Sequence, residues 1–360
     1  MRAMTKCMFT LPAIAAAILG LTAINGAAGP EDSSRPKEEG IASLYPGDRG
    51  IEKDPAVVFA EDFESGALED LLQRWTSSNN KDRRVLSYVT DSVPGSAGKR
   101  SLLITGTKGH DEGGDLWKRL SRGYDQLYAR FYVKFAEDAP YVHHFVALGA
   151  QRDSMPYPNP QAGSRPDGDK QFYVYMDLGR REGINPPGHW FLYTYWSRMR
   201  SFESMEGEGK TFWGNPFGPE QPLQAARGRW QCVEFMIRCN SAPDRSDGEM
   251  AFWVDGVKAS HWGPGSHTGT WVRDKFFTSG QFNTAPKPFE GFLWRTDEAL
   301  KINAFWLEYY LASVFGRDLK PSDPSVPYDS EAGRVQFDNI VLATKYIGPV
   351  AGAVLGEGKK

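Results

Sequence analysis

The residues best equipped to move protons sit close together along the chain. His143 and His144 are adjacent in YVHHFVALGA, and Tyr193 and Tyr195 stand two apart in HWFLYTYW. Imidazoles and phenols are common general acids and bases. Strict alternation sorts these runs into faces. In HWFLYTYW one face holds His189, Phe191, Tyr193 and Tyr195. In QFYVYMDL one face holds Gln171, Tyr173, Tyr175 and Asp177, with Phe172, Val174 and Met176 opposite. In QLYARFYVKF, Tyr128, Arg130, Tyr132 and Lys134 oppose an apolar set. An ordinary solvated sheet face carries Thr, Lys, Glu and Ser. A face rich in Tyr, His, Arg and Gln suits a groove that stacks on and hydrogen-bonds something flat and hydroxylated. Tyrosines packed beneath long loops would give the same pattern. If His143 and His144 lie on one strand they point to opposite faces, so one of them faces the groove.

These side chains need a β scaffold, and the composition supplies one. The chain has 360 residues, with 38 Gly, 24 Pro, 11 Trp, 15 Tyr and 21 Phe. From Val57 onward short β-type runs alternate with Gly, Pro, Asp and Asn turns, which predicts an all-β sandwich or barrel. SGALEDLLQRW is the one short-helix candidate. Long loops are expected over 198–228 and 262–298, where function often resides. Arg2 and Lys6 precede an apolar run ending in Gly26, Ala27 and Ala28, the pattern of a secretory signal peptide over residues 1–28. The expected location is secreted or periplasmic, with no membrane attachment after cleavage. Residues 29–54 read as a flexible lead-in, 55–348 as the folded domain and 349–360 as a tail. The net charge of -3 becomes -5 once Arg2 and Lys6 leave, which argues against nucleic acid as a partner. Cys232 and Cys239 flank CVEFMIRC, point to opposite faces of one strand and sit too far apart to bridge.

The opening FAEDFESG, the closing RVQFDNIVLATKYIG and the hairpin RGRWQCVEFMIRCN…DGEMAFWVDG resemble the concanavalin A-like β-jelly-roll proteins. The order LYARFYVKF, YVHHFVALGA, FYVYMDLG and WFLYTYW is similar to the groove strands of polysaccharide lyase family fourteen and its glucuronan- and alginate-cleaving relatives. The resemblance implies an all-β jelly-roll sandwich of two antiparallel sheets. It also implies β-elimination on a uronate polysaccharide, with an anionic polymer as partner and no required cofactor. Such a lyase removes the C5 proton, expels the C4 oxygen and neutralises the carboxylate. His144, with His143 as the alternative, matches the position of the family's catalytic lysine, which is absent here. Tyr193 and Tyr195 match its paired tyrosines. The family's Ser-x-Arg pair has no counterpart, and Gln171, Tyr173 and Tyr175 occupy that strand. Arg130, Arg152 or Arg180 would neutralise the carboxylate, and His189 would contact substrate.

Two other readings use the same fold. A glycoside hydrolase needs paired carboxylates. The one-strand Glu-x-Asp-x-x-Glu string is missing, and Glu308 and Asp177 could only pair across strands. A non-catalytic lectin would use Trp190, Trp196, Trp213, Trp262, Trp294 and Trp306 as a stacking platform. Glu61, Asp62 and Asp338, near the two terminal strands, form a candidate structural Ca²⁺ site. The chain is expected to be a monomer.

Overall fold

The computed structural model describes residues 39–153, 162–181, 183–311, 325–326 and 330–353. The expected signal peptide therefore lies outside the described residues. No described helix is long and apolar enough to cross a membrane.

Strands run in chain order as β1 (Val57–Glu61), β2 (Ser77–Asn79), β3 (Leu86–Val89), β4 (Ser101–Thr107), β5 (Gly113–Tyr124), β6 (Gln126–Phe135), β7 (Val146–Gln151), β8 (Gln171–Gly179), β9 (His189–Tyr195) and β10 (Asn215–Phe217). They continue as β11 (Leu223–Gln224), β12 (Gln231–Arg238), β13 (Glu249–Val254), β14 (Val257–Trp262), β15 (Thr268–Val272), β16 (Lys275–Phe277), β17 (Lys287–Pro288), β18 (Ile302–Tyr310) and β19 (Ala332–Ala343). The first sheet has the order β14-β13-β12-β6-β19-β4-β3, with β1 added on β19. The second has the order β10-β9-β8-β7-β18-β5-β2, with β11 added on β9. Pairing within both is antiparallel, as in a jelly-roll sandwich. The terminal strands pair, with Glu61 opposite Ile340, and β12 and β13 form the expected hairpin. The helix candidate shrinks to a 3₁₀ turn at Leu68–Asp70 and a single α turn at Leu71–Arg74.

The core lies between the sheets and takes the apolar set from each alternating strand. Phe131, Phe135, Phe145 and Phe337 meet there, at centroid separations of 5.2 to 6.1 Å for the contacts through Phe131–Phe145, Phe135–Phe145 and Phe145–Phe337. Such aromatic pairs contribute about 1 kcal/mol each beyond the area they bury. Cys239 belongs to this core, whereas Cys232 packs on the far side with Tyr132 and Trp230; both thiols are free.

Arg130 is not a groove residue. It lies on β6 in the first sheet, on the face turned away from the core, and is fully buried. Its guanidinium pairs with both carboxylate oxygens of Asp48 and donates to the carbonyls of Gly348 (3.2 Å) and Asn339 (3.1 Å). Asn339 Nδ2 closes the cluster on Asp48 Oδ2 at 2.9 Å. The neighbours do related work. Glu234 accepts the backbone N–H groups of Ile347 and Gly348, and Tyr132 Oη accepts that of Val350, all at 2.8 Å. The polar face of the first sheet is thus a dock for the two ends of the chain. The lead-in expected to be flexible is accordingly folded from Ile41, as three 3₁₀ turns ending at Lys53. The domain also runs past residue 348, with Val350 buried.

Removing Asp48 leaves an uncompensated buried cation. Asp48→Ala is expected to lower unfolding free energy by about 3–5 kcal/mol, whereas replacing Asp48 and Arg130 together by Leu and Met recovers most of it. Urea denaturation of the three proteins checks this.

Candidate active site

The face of the second sheet turned away from the core gathers the proton-handling residues. Register sets its rows. Tyr193 on β9 pairs with Tyr175 on β8, Tyr175 with Ala147 on β7, Ala147 with Trp306 on β18, and Trp306 with Trp117 on β5. One step along, Phe191 pairs with Asp177, and Glu308 with Asp115. In the other direction Tyr195 pairs with Tyr173, and Tyr173 with Gly149. Gly149 is required there, because a Cβ would stand 2.5 Å from the Tyr173 ring.

His143 and His144 do not straddle the sheet. β7 begins only at Val146, and the N–H groups of both histidines reach the Tyr310 carbonyl, at 2.9 and 3.3 Å. This irregular pairing breaks the two-residue alternation and brings the two rings to 4.2 Å on one side. The His144 ring lies 5.4 Å from Tyr175 and 5.6 Å from Tyr193, and is nearly parallel to Tyr310 at 6.4 Å. His143 contacts Tyr310 at 5.4 Å.

Asp177 orients His144. Its Oδ2 lies 2.9 Å from His144 Nδ1, while its Oδ1 accepts the Phe145 N–H at 2.7 Å. A proton on Nδ1 fits this contact to a carboxylate, with Nε2 on the opposite side of the ring. Tyr193 and Tyr195 stand with rings 5.6 Å apart. Burial pushes both phenols above the ordinary range, so both remain protonated at neutral pH. Gly214 approaches Tyr193 so closely that a Cβ would meet the ring at 2.6 Å. The result is an imidazole and two phenols gathered on one face of the sheet.

The remaining expected residues divide. Tyr173, Tyr175 and Gln171 lie on the anticipated face but are buried, at 2%, 3% and 5% exposure, as is Tyr195 at 6%, whereas Tyr193 and His144 are part-exposed. Tyr173 Oη is spent on Gln151 Oε1. His189 is part-exposed at the end of the row, with burial lowering its basicity. Arg180 follows β8 at that same end, exposed and near enough to act on Tyr141; Arg181 acts likewise on His189. Arg152 is eight residues from His144, about 25 Å at strand spacing, and pairs with Asp297 at 2.8 Å. It does not reach the histidines. The tryptophan platform fails for Trp190, Trp196, Trp262 and Trp294, which are buried; Trp213 is exposed and Trp306 part-exposed.

The calcium set does not fit a cation. Both Glu61 oxygens are used, Oε1 by the Phe63 N–H and Oε2 by Arg74 and Trp75. Asp338 accepts the N–H groups of Val93 and Asn339, and burial with Asp62 and Glu64 nearby pushes its carboxyl up to about 8. Among the described residues no three His, Cys, Asp or Glu side chains are grouped to hold a metal.

Asp115 and Tyr310 were absent from the expected groove set, and Glu308 and Asp177, the latter already placed on the groove face, were weighed as hydrolytic carboxylates. Alternation in INAFWLEYY places Trp306, Glu308 and Tyr310 on one face and could have pointed to them.

No family model and no curated protein matches the chain. Solved structures do match its fold. The alginate lyase of a Chlorella virus is 12% identical with a TM-score of 0.50, covering 79% of this chain and 99% of its own. The marine PL-14 alginate lyase of Aplysia kurodai is 13% identical with a TM-score of 0.48, covering 80% and 99%. The endo-β-1,4-glucuronan lyase of Trichoderma reesei is 15% identical with a TM-score of 0.40, covering 80% and 95%. The chain is a β-jelly roll similar in architecture to polysaccharide lyases.

Nitrogen NMR of the imidazoles tests the geometry without an activity assay. At neutral pH His144 is expected in the Nδ1-protonated tautomer, and Asp177→Ala should shift it toward Nε2 protonation.

Proposed function

We propose that this chain is an exported polysaccharide lyase that cleaves a uronate-containing polymer by β-elimination on the open face of the second sheet. The observation that carries the reading is Asp177 holding His144 beside Tyr193 and Tyr195. His144 Nε2 takes the C5 proton. The electron pair of that C–H bond forms the C4–C5 double bond as the C4–O bond breaks. A tyrosine phenol, Tyr195 or Tyr193, gives its proton to the departing oxygen. The raised phenol pKa values suit donation from the neutral form, which leaves the imidazole as the base. Arg180 and Arg181 supply positive charge at the His189 end, where an anionic chain could enter. The architecture shared with an alginate lyase supports the choice of a uronate polymer.

A hydrolase is the second reading, because Glu308 and Asp177 share the open face and Glu308 has the raised pKa of a general acid. It is disfavoured by the commitment of Asp177 to His144 and the Phe145 N–H.

Mature protein mixed with a panel of uronate polymers is expected to raise ultraviolet absorbance, from the conjugated unsaturated uronate, together with reducing ends. His144→Ala should lower kcat by about 10²–10⁴-fold with the fold intact. Reducing ends without absorbance would make the protein a hydrolase. Neither signal, with binding retained, would make it a lectin.

A further inference from the structure

Glu308 has no part in the proton transfers above, yet it stands among them. It lies on β18 between Trp306 and Tyr310, all three part-exposed on the open face. Tyr310 is the ring that stacks along His144. Directly across the strand pair is Asp115. Asp177 faces it from β8, close enough to act on it electrostatically, and Tyr175 of that strand feels its charge in turn. Glu308 keeps some exposure as a residue, but its Oε2 is shut from solvent and has no hydrogen-bond partner among the described residues.

Three carboxyl groups thus occupy neighbouring positions on one desolvated sheet face. Asp177 has two partners, the His144 ring and the Phe145 N–H, one on each oxygen. Asp115 is part-exposed on β5, Lys81 acts on it from outside the sheet, and desolvation pushes its carboxyl up. Glu308, with Asp115 on one side and Asp177 on the other, is pushed well above the carboxylate range by burial first and by those two neighbours next. An acidic floor of this kind would repel a polyuronate if every carboxyl were ionised.

We propose that Glu308 works as a neutral carboxylic acid, donating a hydrogen bond to the carboxylate of the bound uronate and so selecting an anionic sugar on an otherwise acidic face. The inference rests on the lyase reading above and assigns that reading a specificity residue. A buried acid kept neutral is a good donor to developing negative charge. As the C5 proton leaves, charge spreads onto the uronate carboxylate oxygens, so the hydrogen bond strengthens in the transition state. Glu308 keeps its proton throughout.

Two measurements test this. Infrared difference spectra of wild type against Glu308→Gln at neutral pH should show the carbonyl stretch of a protonated carboxyl, lost as pH rises. On the polymer that gives absorbance, Glu308→Gln should stay within about threefold of wild type, since an amide N–H still donates. Glu308→Ala, checked for folding by circular dichroism, should lose about 30-fold in kcat/KM, as for a hydrogen bond to a charged group. Wild-type activity should fall at alkaline pH as Glu308 ionises, and Glu308→Gln should lack that fall. An infrared spectrum without the protonated band overturns the proposal. Unsaturated product with Glu308→Gln as impaired as Glu308→Ala overturns it alone and leaves the lyase reading standing. Reducing ends without unsaturation, with Glu308→Gln inactive, overturn both readings and make Glu308 the acid of a hydrolase.

Discussion

A buried polar group must find a partner, and in this protein both sheets carry polar groups on the face away from the core. The first sheet satisfies its own. Arg130, Glu234 and Tyr132 take up Asp48, the backbone of 347–348 and the backbone of Val350, so the two chain ends become part of the sandwich. Among the described residues no such closure meets the equivalent face of the second sheet. There, Asp177 is paired, the tyrosines interlock, and one oxygen of Glu308 is left alone. One sheet is finished by the chain itself, and the other remains available to a ligand.

Desolvation then sorts the roles. The same burial that raises the phenols of Tyr193 and Tyr195 also raises the carboxyls of Asp115 and Glu308. Asp177 differs in its partners, because the His144 ring and the Phe145 N–H meet its two oxygens. Phenols and carboxyls on one face are thereby shifted upward by a common cause, the loss of water. Gly149 on β7 makes room for the Tyr173 ring of β8, and His144 lies within 5.6 Å of both Tyr175 and Tyr193.

Much of this was legible in alternation. The groove faces of β8 and β9 carry the residues their period of two assigns, and the paired terminal strands and the β12–β13 hairpin follow from recognisable strings. Alternation distinguishes two faces of a strand and says nothing about which sheet the strand joins. Arg130 shows the consequence: its strand looked like a groove strand, but β6 sits between β12 and β19 in the opposite sheet. Tyr173 and Tyr175 show another, since a residue on the right face can still be roofed by its neighbours. His143 and His144 show a third, because the irregular pairing to Tyr310 interrupts the period just where it mattered.

The sequence by itself determined the class of fold, the positions of most strands, the free cysteines and the identity of the histidine and tyrosine candidates. These depend on local period and composition, which neighbouring residues carry. Tertiary structure decided that the chain ends close the first sheet, that Asp177 belongs to His144, and that Glu308 and Asp115 stand opposite each other on the site. Residues 115, 144, 177 and 308 come from four separate segments, and only the strand order and register of the folded sheet bring their charges close enough to act on one another.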